Sequence, residues 1–299
     1  MNATMVFVHG RGQEFKDPEK LRATWLKALA SGLNRTAAPV STLQASLTVL
    51  PFYGNVLYRI TSELARDPLE LESMPGDPDE PGPLHPYLPE DVGAMEQQLM
   101  ADMVDMAEGP ESSVTDLEGL GVLGQAGRSA LSWSVTRRSL IALSRHTRLD
   151  QEFITEYLRD VAVYLARARD EVLAVVRAAL PSGGPLVVVS HSLGTVVACD
   201  LLADSVARDR VSLWVTAGSP LGLEAVQRNL RPRGPRPMHL PWLTAYDPQD
   251  VVSLGHPLGK AWGGVENVRV DNSGLPHAID RYLAHPPVAQ RVAAALTAS

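Results

Sequence analysis

A serine hydroxyl is a poor nucleophile at neutral pH and becomes a good one beside a base that is itself oriented by a carboxylate. The stretch Pro185-Leu-Val-Val-Val-Ser-His-Ser-Leu-Gly-Thr-Val-Val-Ala-Cys-Asp200 offers such a serine. It reads as an apolar strand, an abrupt turn at Ser192 and then a helix. That arrangement lifts the Ser192 hydroxyl out of the sheet plane and leaves the next backbone N–H groups free to face a developing negative charge. The usual spelling of the turn is G-x-S-x-G. Here Ser190 takes the first place, where strand and helix approach closely and a small residue is needed, and Gly194 takes the last.

Partners for Ser192 must lie where an open parallel sheet collects its functional groups, just past the carboxyl ends of the strands. Past a strand ending at Tyr246 stand Asp247 and Asp250. Past a strand ending at Val270 stand Asp271 and His277. The chain order is therefore serine, acid, histidine. A separation of three residues leaves both Asp247 and Asp250 open as the acid.

The elements that must position these groups alternate along the chain. Thr4–Val8 is a continuous apolar run, suited to a strand buried on both faces, and it ends in His9-Gly10-Arg11-Gly12. Asp17-Pro18-Glu19 reads as a helix start, and Leu21, Trp25, Ala28, Leu29 and Gly32 continue at helical spacing. A second strand is expected at Ser46–Leu50. Strand, helix and strand within about fifty residues favour a parallel sheet. A long helix is expected near 150–180, followed by strands at 185–190, Val211–Thr216, Trp242–Tyr246 and Glu266–Val270. Helices are expected from about Pro220 to Leu230 and from Pro287 to Leu296. The expected class is α/β, three layers, with a mainly parallel sheet of about six strands.

Five pieces of this chain resemble the α/β-hydrolase superfamily of serine esterases and lipases. They are Val-Phe-Val-His9-Gly10, Ser-His-Ser192-Leu-Gly194-Thr, Thr216-Ala-Gly-Ser-Pro220-Leu-Gly, Tyr246-Asp-Pro-Gln-Asp250-Val-Val, and His277 followed five residues later by Tyr282. The resemblance is strongest to bacterial members that begin at the His-Gly strand, and it covers residues 5–50 and 150–299. It implies Ser192 as nucleophile, His277 as general base and then acid, and Asp250 as the orienting acid, because this family places its acid before Val-Val. It also implies an oxyanion hole from the backbone N–H groups of Arg11 and Leu193. The implied reaction is cleavage of a carboxylic ester, in a small molecule or a lipid, through an acyl-enzyme. A serine peptidase or thioesterase would use the same groups, and a binding module on a hydrolase scaffold would use none of them.

Residues 55–150 have no counterpart in that resemblance and are expected to form an insertion in a single domain spanning 1–299. From Asp67 to Glu90 the chain is rich in Pro, Gly and acids and reads as an irregular loop. Val92, Met95, Leu99, Met103 and Met106 fall on one helical face. Gly119 to Leu143 mixes glycines with apolar residues and arginines. The insertion reads either as a lid over an apolar substrate pocket or as a helical subdomain packed on the sheet edge.

The 299 residues are 45% hydrophobic and 20% charged, enough for a sizeable core. Residues 63–118 hold sixteen acids and one base, so the net charge of −7 conceals a remainder of +8. That asymmetry allows a transient membrane-surface contact through the insertion, or simply a solvated surface. Aromatic content of 5% with no basic stripe argues against nucleic acid. A single cysteine, Cys199, excludes an internal disulfide framework and a Cys-based zinc site, and no spacing suggests another metal or a cofactor. No leader or spanning segment is read, so a cytoplasmic protein is expected. Among the other histidines, His191 is expected to pack, His9 to brace its loop, and His256 and His285 to stand as alternative bases behind His277. His85, His146 and His239 are placed in loops or at helix ends.

Overall fold

A computed structural model describes residues 3–64, 88–108 and 151–298. Its centre is a six-stranded sheet in which every neighbouring pair is parallel. The strands are β1 (Thr4–Val8), β2 (Thr48–Val49), β3 (Leu186–His191), β4 (Val211–Ala217), β5 (Trp242–Tyr246) and β6 (Val265–Arg269), in the spatial order β2-β1-β3-β4-β5-β6. The chain goes from β1 outward to β2 on one side and then returns to place β3 on the other. The order in which strands are added therefore reverses between β1 and β3, and the crevice that this opens at the carboxyl ends is where open α/β sheets bind their ligands.

The inner strands are apolar on both faces because helices cover both. Met5, Phe7, Val187, Val189, Leu213, Val215, Leu243 and Ala245 point into one core. That core is closed by Trp25, Leu29 and Leu33 of α1 (Pro18–Leu33), together with residues of two C-terminal helices, Ile279–Ala284 and Pro286–Thr297. Val6, Val8, Leu186, Val188, Trp214 and Trp242 point into the other. β6 is an edge strand, and its Glu266, Asn267 and Arg269 are the polar residues that an unpaired edge requires.

Local sequence explains most element boundaries. Asp17 caps α1 by accepting from the N–H groups of Glu19 and Lys20, with Pro18 at the first helical position. α2 is a single turn at Ser41–Gln44. The expected strand at 46–50 contributes only Thr48 and Val49 to the ladder. The long helix expected near 150–180 is present as α5 (Gln151–Val163), a π-helical turn at Tyr164–Ala168, and α6 (Arg169–Ala179). Tyr164 at that turn donates to Asp200 Oδ2 at 2.9 Å. The helix expected over 220–230 is divided. Ser219 accepts from Leu221 N–H to start a 3₁₀ turn at Pro220–Gly222, Leu223 is extended, and a short helix follows at Glu224–Asn229.

Two described pieces of the expected insertion belong to the main core. α3 (Gly54–Leu64), read as no element from sequence, buries Leu57 and Ile60 beside Val6 and Val8. α4 (Glu90–Glu108) buries Val92, Leu99, Met100, Met103 and Val104 in the same cluster and packs chiefly on α5. Met95 and Met106 of the expected apolar face are partly buried. The Pro-rich acidic loop and the Gly119–Leu143 segment lie outside the described residues, apart from the 88–90 end of the loop.

Candidate active site

β3 ends at His191 and the next helix, α7 (Leu193–Leu201), begins at Leu193, so the whole change of direction falls on Ser192. Its backbone, at φ 54° and ψ −131°, occupies a region that a non-glycine residue adopts only when its surroundings enforce it. Several contacts do so. Ser192 N–H donates to Ala217 O at the end of β4 (3.1 Å), and Ser192 O accepts from both the N–H (2.9 Å) and the hydroxyl (2.8 Å) of Thr195. Gly194 lets α7 start against the end of β1: a Cβ there would collide with the carbonyl oxygens of Val8 and His9. Ser190 fits the position usually held by glycine because its hydroxyl is fully used, donating to Val215 O and accepting from Trp214 Nε1, each at 2.9 Å.

The Ser192 hydroxyl lies 3.0 Å from His277 Nε2, and His277 Nδ1 lies 2.9 and 2.8 Å from the two oxygens of Asp250. With the ring proton on Nδ1 facing the carboxylate, Nε2 is the bare nitrogen that accepts from serine. Asp250 has a fully buried side chain. Its charge is met by three donors: His277, the N–H of Val252 at 3.0 Å, and the hydroxyl of Tyr282 at 2.8 Å. Burial holds the Tyr282 phenol well above its ordinary pKa, so it stays a neutral donor. Gly218, at φ 53°, leaves room for the pair, since a Cβ would stand 2.7 Å from Asp250 Oδ2 and 3.1 Å from His277 Nδ1.

Asp247 is elsewhere. Its oxygens accept from the N–H groups of Gln249 (2.8 Å) and Asn272 (2.7 Å), and its own N–H donates to Tyr282 (3.0 Å). Asn272 in turn meets Pro276 O and His285 Nε2. Asp247 thus ties the end of β5 to the loop that carries His277, without touching the histidine ring.

The remaining histidines separate by what they hold. His191 Nε2 lies 3.0 Å from His277 O, and its ring stands 4.7 Å from that of His277, so it braces the base loop. Burial and the neighbouring His277 push its pKa well below the ordinary value, and it donates as a neutral ring. His9 donates from Nδ1 to Gly10 O (2.7 Å) and accepts Tyr53 N–H at Nε2 (3.2 Å). His256 is engaged by Thr244 and Ser253, and His285 by Asn272, so neither reaches Ser192. His239 is exposed, and His85 and His146 lie outside the described residues.

Arg11 and Leu193 flank Ser192 from two sides. Leu193 opens α7, so its N–H has no acceptor within the helix. Arg11 follows β1 beyond the last rung of the β1–β3 ladder, Val8 opposite Ser190. Neither N–H is a donor in the turn and loop pairs of the described residues. The Arg11 carbonyl is held by Gln13 Nε2 (2.8 Å), and its guanidinium by Asp160 (2.6 Å) and Glu156 (2.5 Å) of α5. Burial opposes the Arg11 charge, but the two carboxylates outweigh it and raise the pKa. A cavity of about 210 Å³ sits above these groups. Among the described residues its wall includes Arg11, Gly12, Phe153, Ser192 and His277. Phe153 meets His277 edge-on at 5.5 Å.

Sequence reasoning assigned no role to Gly218 or Tyr282, although both lie in stretches it singled out. Both positions fall within pieces that carry the resemblance, but the contacts they make run across the fold and are not stated by the local sequence. Among the described residues no group of three or more His, Cys, Asp or Glu side chains is placed to hold a metal ion. Cys199 is buried, and burial raises its pKa to about 12. No helix among the described residues is long and apolar enough to cross a membrane. No protein-family model, no curated protein and no solved structure matches the chain.

Proposed function

We propose that this protein is a serine hydrolase that cleaves carboxylic esters through an acyl-enzyme, on an α/β-hydrolase scaffold. The observation that carries the reading is the continuous hydrogen-bonded chain from Ser192 Oγ through His277 to Asp250, at 3.0 and 2.8 Å, with the nucleophile on a strained turn. The order of the groups supports the scaffold reading: the serine follows the third strand in sequence, the acid the fifth and the histidine the sixth.

In this mechanism Ser192 Oγ attacks the ester carbonyl carbon while its proton passes to His277 Nε2. The carbonyl oxygen becomes an oxyanion facing the N–H groups of Arg11 and Leu193. The tetrahedral species collapses, the carbon–oxygen bond to the alcohol breaks, and His277 returns the proton to the leaving oxygen. Water then attacks the acyl-serine carbonyl, His277 takes the water's proton, and collapse restores the Ser192 hydroxyl and releases the acid. Asp250 stays ionised, keeps the Nδ1 proton on the ring and offsets the charge of the imidazolium.

Ser192→Ala tests this reading. It is expected to lower ester hydrolysis by at least about 10³-fold and to abolish labelling by a fluorophosphonate. Full activity together with retained labelling in that variant would exclude the proposal.

A further inference from the structure

A neighbouring cavity, also about 210 Å³, shares Gly10, Arg11 and Gly12 with the cavity above Ser192 and is completed by α3 and α5. Resting on the hydrolase reading above, we infer that this cavity receives the acyl chain of the ester, and that the chain is uncharged and longer than a few carbons.

Direction comes first. The tetrahedral carbon on Ser192 carries an oxyanion, a leaving group and an acyl chain. The leaving oxygen must face His277 Nε2, which protonates it. His277 lines the first cavity and does not line the second, which lies beyond the oxyanion loop. The acyl chain is the substituent free to pass that way. At Gly12 a Cβ would meet nothing within 4 Å, so the loop leaves open space where the two cavities share a wall.

The chemistry of the lining selects the occupant. Leu57 and Tyr58 of α3 supply apolar surface. The hydroxyls of Thr61 and Ser62 donate back to the helix carbonyls of Leu57 and Tyr58, each at 2.9 Å, so their protons are not offered to a ligand. On the opposite wall Asp160 is bound by both Arg11 and Arg159. The two arginines in the lining, Arg11 and Arg159, are offset by Asp160, by Glu14 in the same lining and by Glu156 on Arg11, so no surplus positive charge is left to hold a chain ending in an anion. Outward, the apolar surface continues. Tyr58 is 48% exposed and meets Phe15, 74% exposed, ring edge to face at 4.9 Å. Phe15 is held at φ 60°, a strained backbone for an aromatic residue with a solvent-facing ring. A chain leaving the cavity would lie along this pair.

The test uses the full chain and a series of chromogenic esters from acetyl to dodecanoyl, with fluorophosphonate labelling of Ser192 as a separate readout. The wild type is expected to label and to prefer octanoyl over acetyl in kcat/KM. Thr61→Phe, which places a ring in the cavity, is expected to lower the octanoyl-to-acetyl ratio at least tenfold. Tyr58→Ser, at a half-exposed position that folding tolerates, is expected to lower it about threefold. If Thr61→Phe fails to fold, Tyr58→Ser decides alone. Labelling and acetyl hydrolysis with an unchanged ratio in the folded variants would overturn the acyl site and leave the hydrolase reading standing. Absence of labelling in the wild type would overturn both.

Discussion

Asp247 and Asp250 show how three residues of separation become different duties. Both follow β5 and both are buried, yet Asp250 meets His277 and Asp247 meets backbone N–H groups of its own turn and of the Asn272 loop. Replacing each by asparagine separates the duties. Asp250→Asn turns an acceptor into a group that can present N–H to Nδ1, which favours the wrong tautomer of His277. Under the proposed mechanism kcat is expected to fall about 10⁴-fold with little change in the melting temperature. Asp247→Asn keeps one oxygen for the two N–H donors. It is expected to lower the melting temperature while reducing kcat far less. Steady-state kinetics and thermal unfolding on the two proteins decide the assignment, and equal kinetic losses would contradict it.

At the scale of elements, the turn at Ser192 depends on how closely α7 approaches the end of β1. Gly194 sets that distance. Gly194→Ala forces a methyl group against the Val8 and His9 carbonyls, which belong to backbone and cannot swing aside. The expected cost is about 3 kcal/mol of stability, read as a lower urea midpoint, with activity lost as the turn opens. An alanine variant of wild-type stability would mean that α7 can slide away from β1. The same approach brings Arg11 beside Ser192, and α5 reinforces it from the other side through Asp160 and Glu156. A helix that borders the undescribed part of the chain therefore holds the proposed oxyanion loop.

Across the whole molecule, the buried His9 and the partly buried His256 and His191 make folding depend on pH. Burial lowers His9 and His256 from an ordinary 6.5 to about 4. In the folded state His9 cannot take a second proton without setting Nε2–H against Tyr53 N–H. The sign follows from proton uptake. Above pH 6.5 both rings are neutral in either state and the stability is fully present. Between 6.5 and about 4 the unfolded chain binds protons that the folded chain refuses, so stability falls as the pH drops. Each ring accounts for about 3 kcal/mol over that window, and His191 acts in the same direction. The urea midpoint is expected to fall steadily from pH 7 to pH 4.5. His9→Gln, which keeps an acceptor and a donor, should flatten the slope. A midpoint independent of pH would show that these rings take up protons equally in both states.

The sequence by itself determined whatever is written locally. Met5–Val8 and Leu186–Val189 are apolar at every position, and a strand covered on both faces accounts for such a run. Asp17-Pro18 marks a helix start by its own side chain and ring. Ser190-x-Ser192-x-Gly194 announces a strand, turn and helix because its small outer residues let the strand and the helix approach closely. What needed the tertiary structure is whatever depends on contacts between segments far apart in the chain. α3 was not read because its short apolar stripe, Leu57 and Ile60, becomes meaningful only against Val6 and Val8. The helix expected over 220–230 is split at Leu223, whose extended backbone separates the Pro220–Gly222 turn from Glu224–Asn229, and nothing local marks that residue as a break. Which of Asp247 and Asp250 meets His277, the bracing by His191 and Tyr282, and the space that Gly218 leaves are seen only in the fold. Each rests on a hydrogen bond or a van der Waals limit of a few ångströms, and spacing along a chain does not fix distances of that size across a sheet.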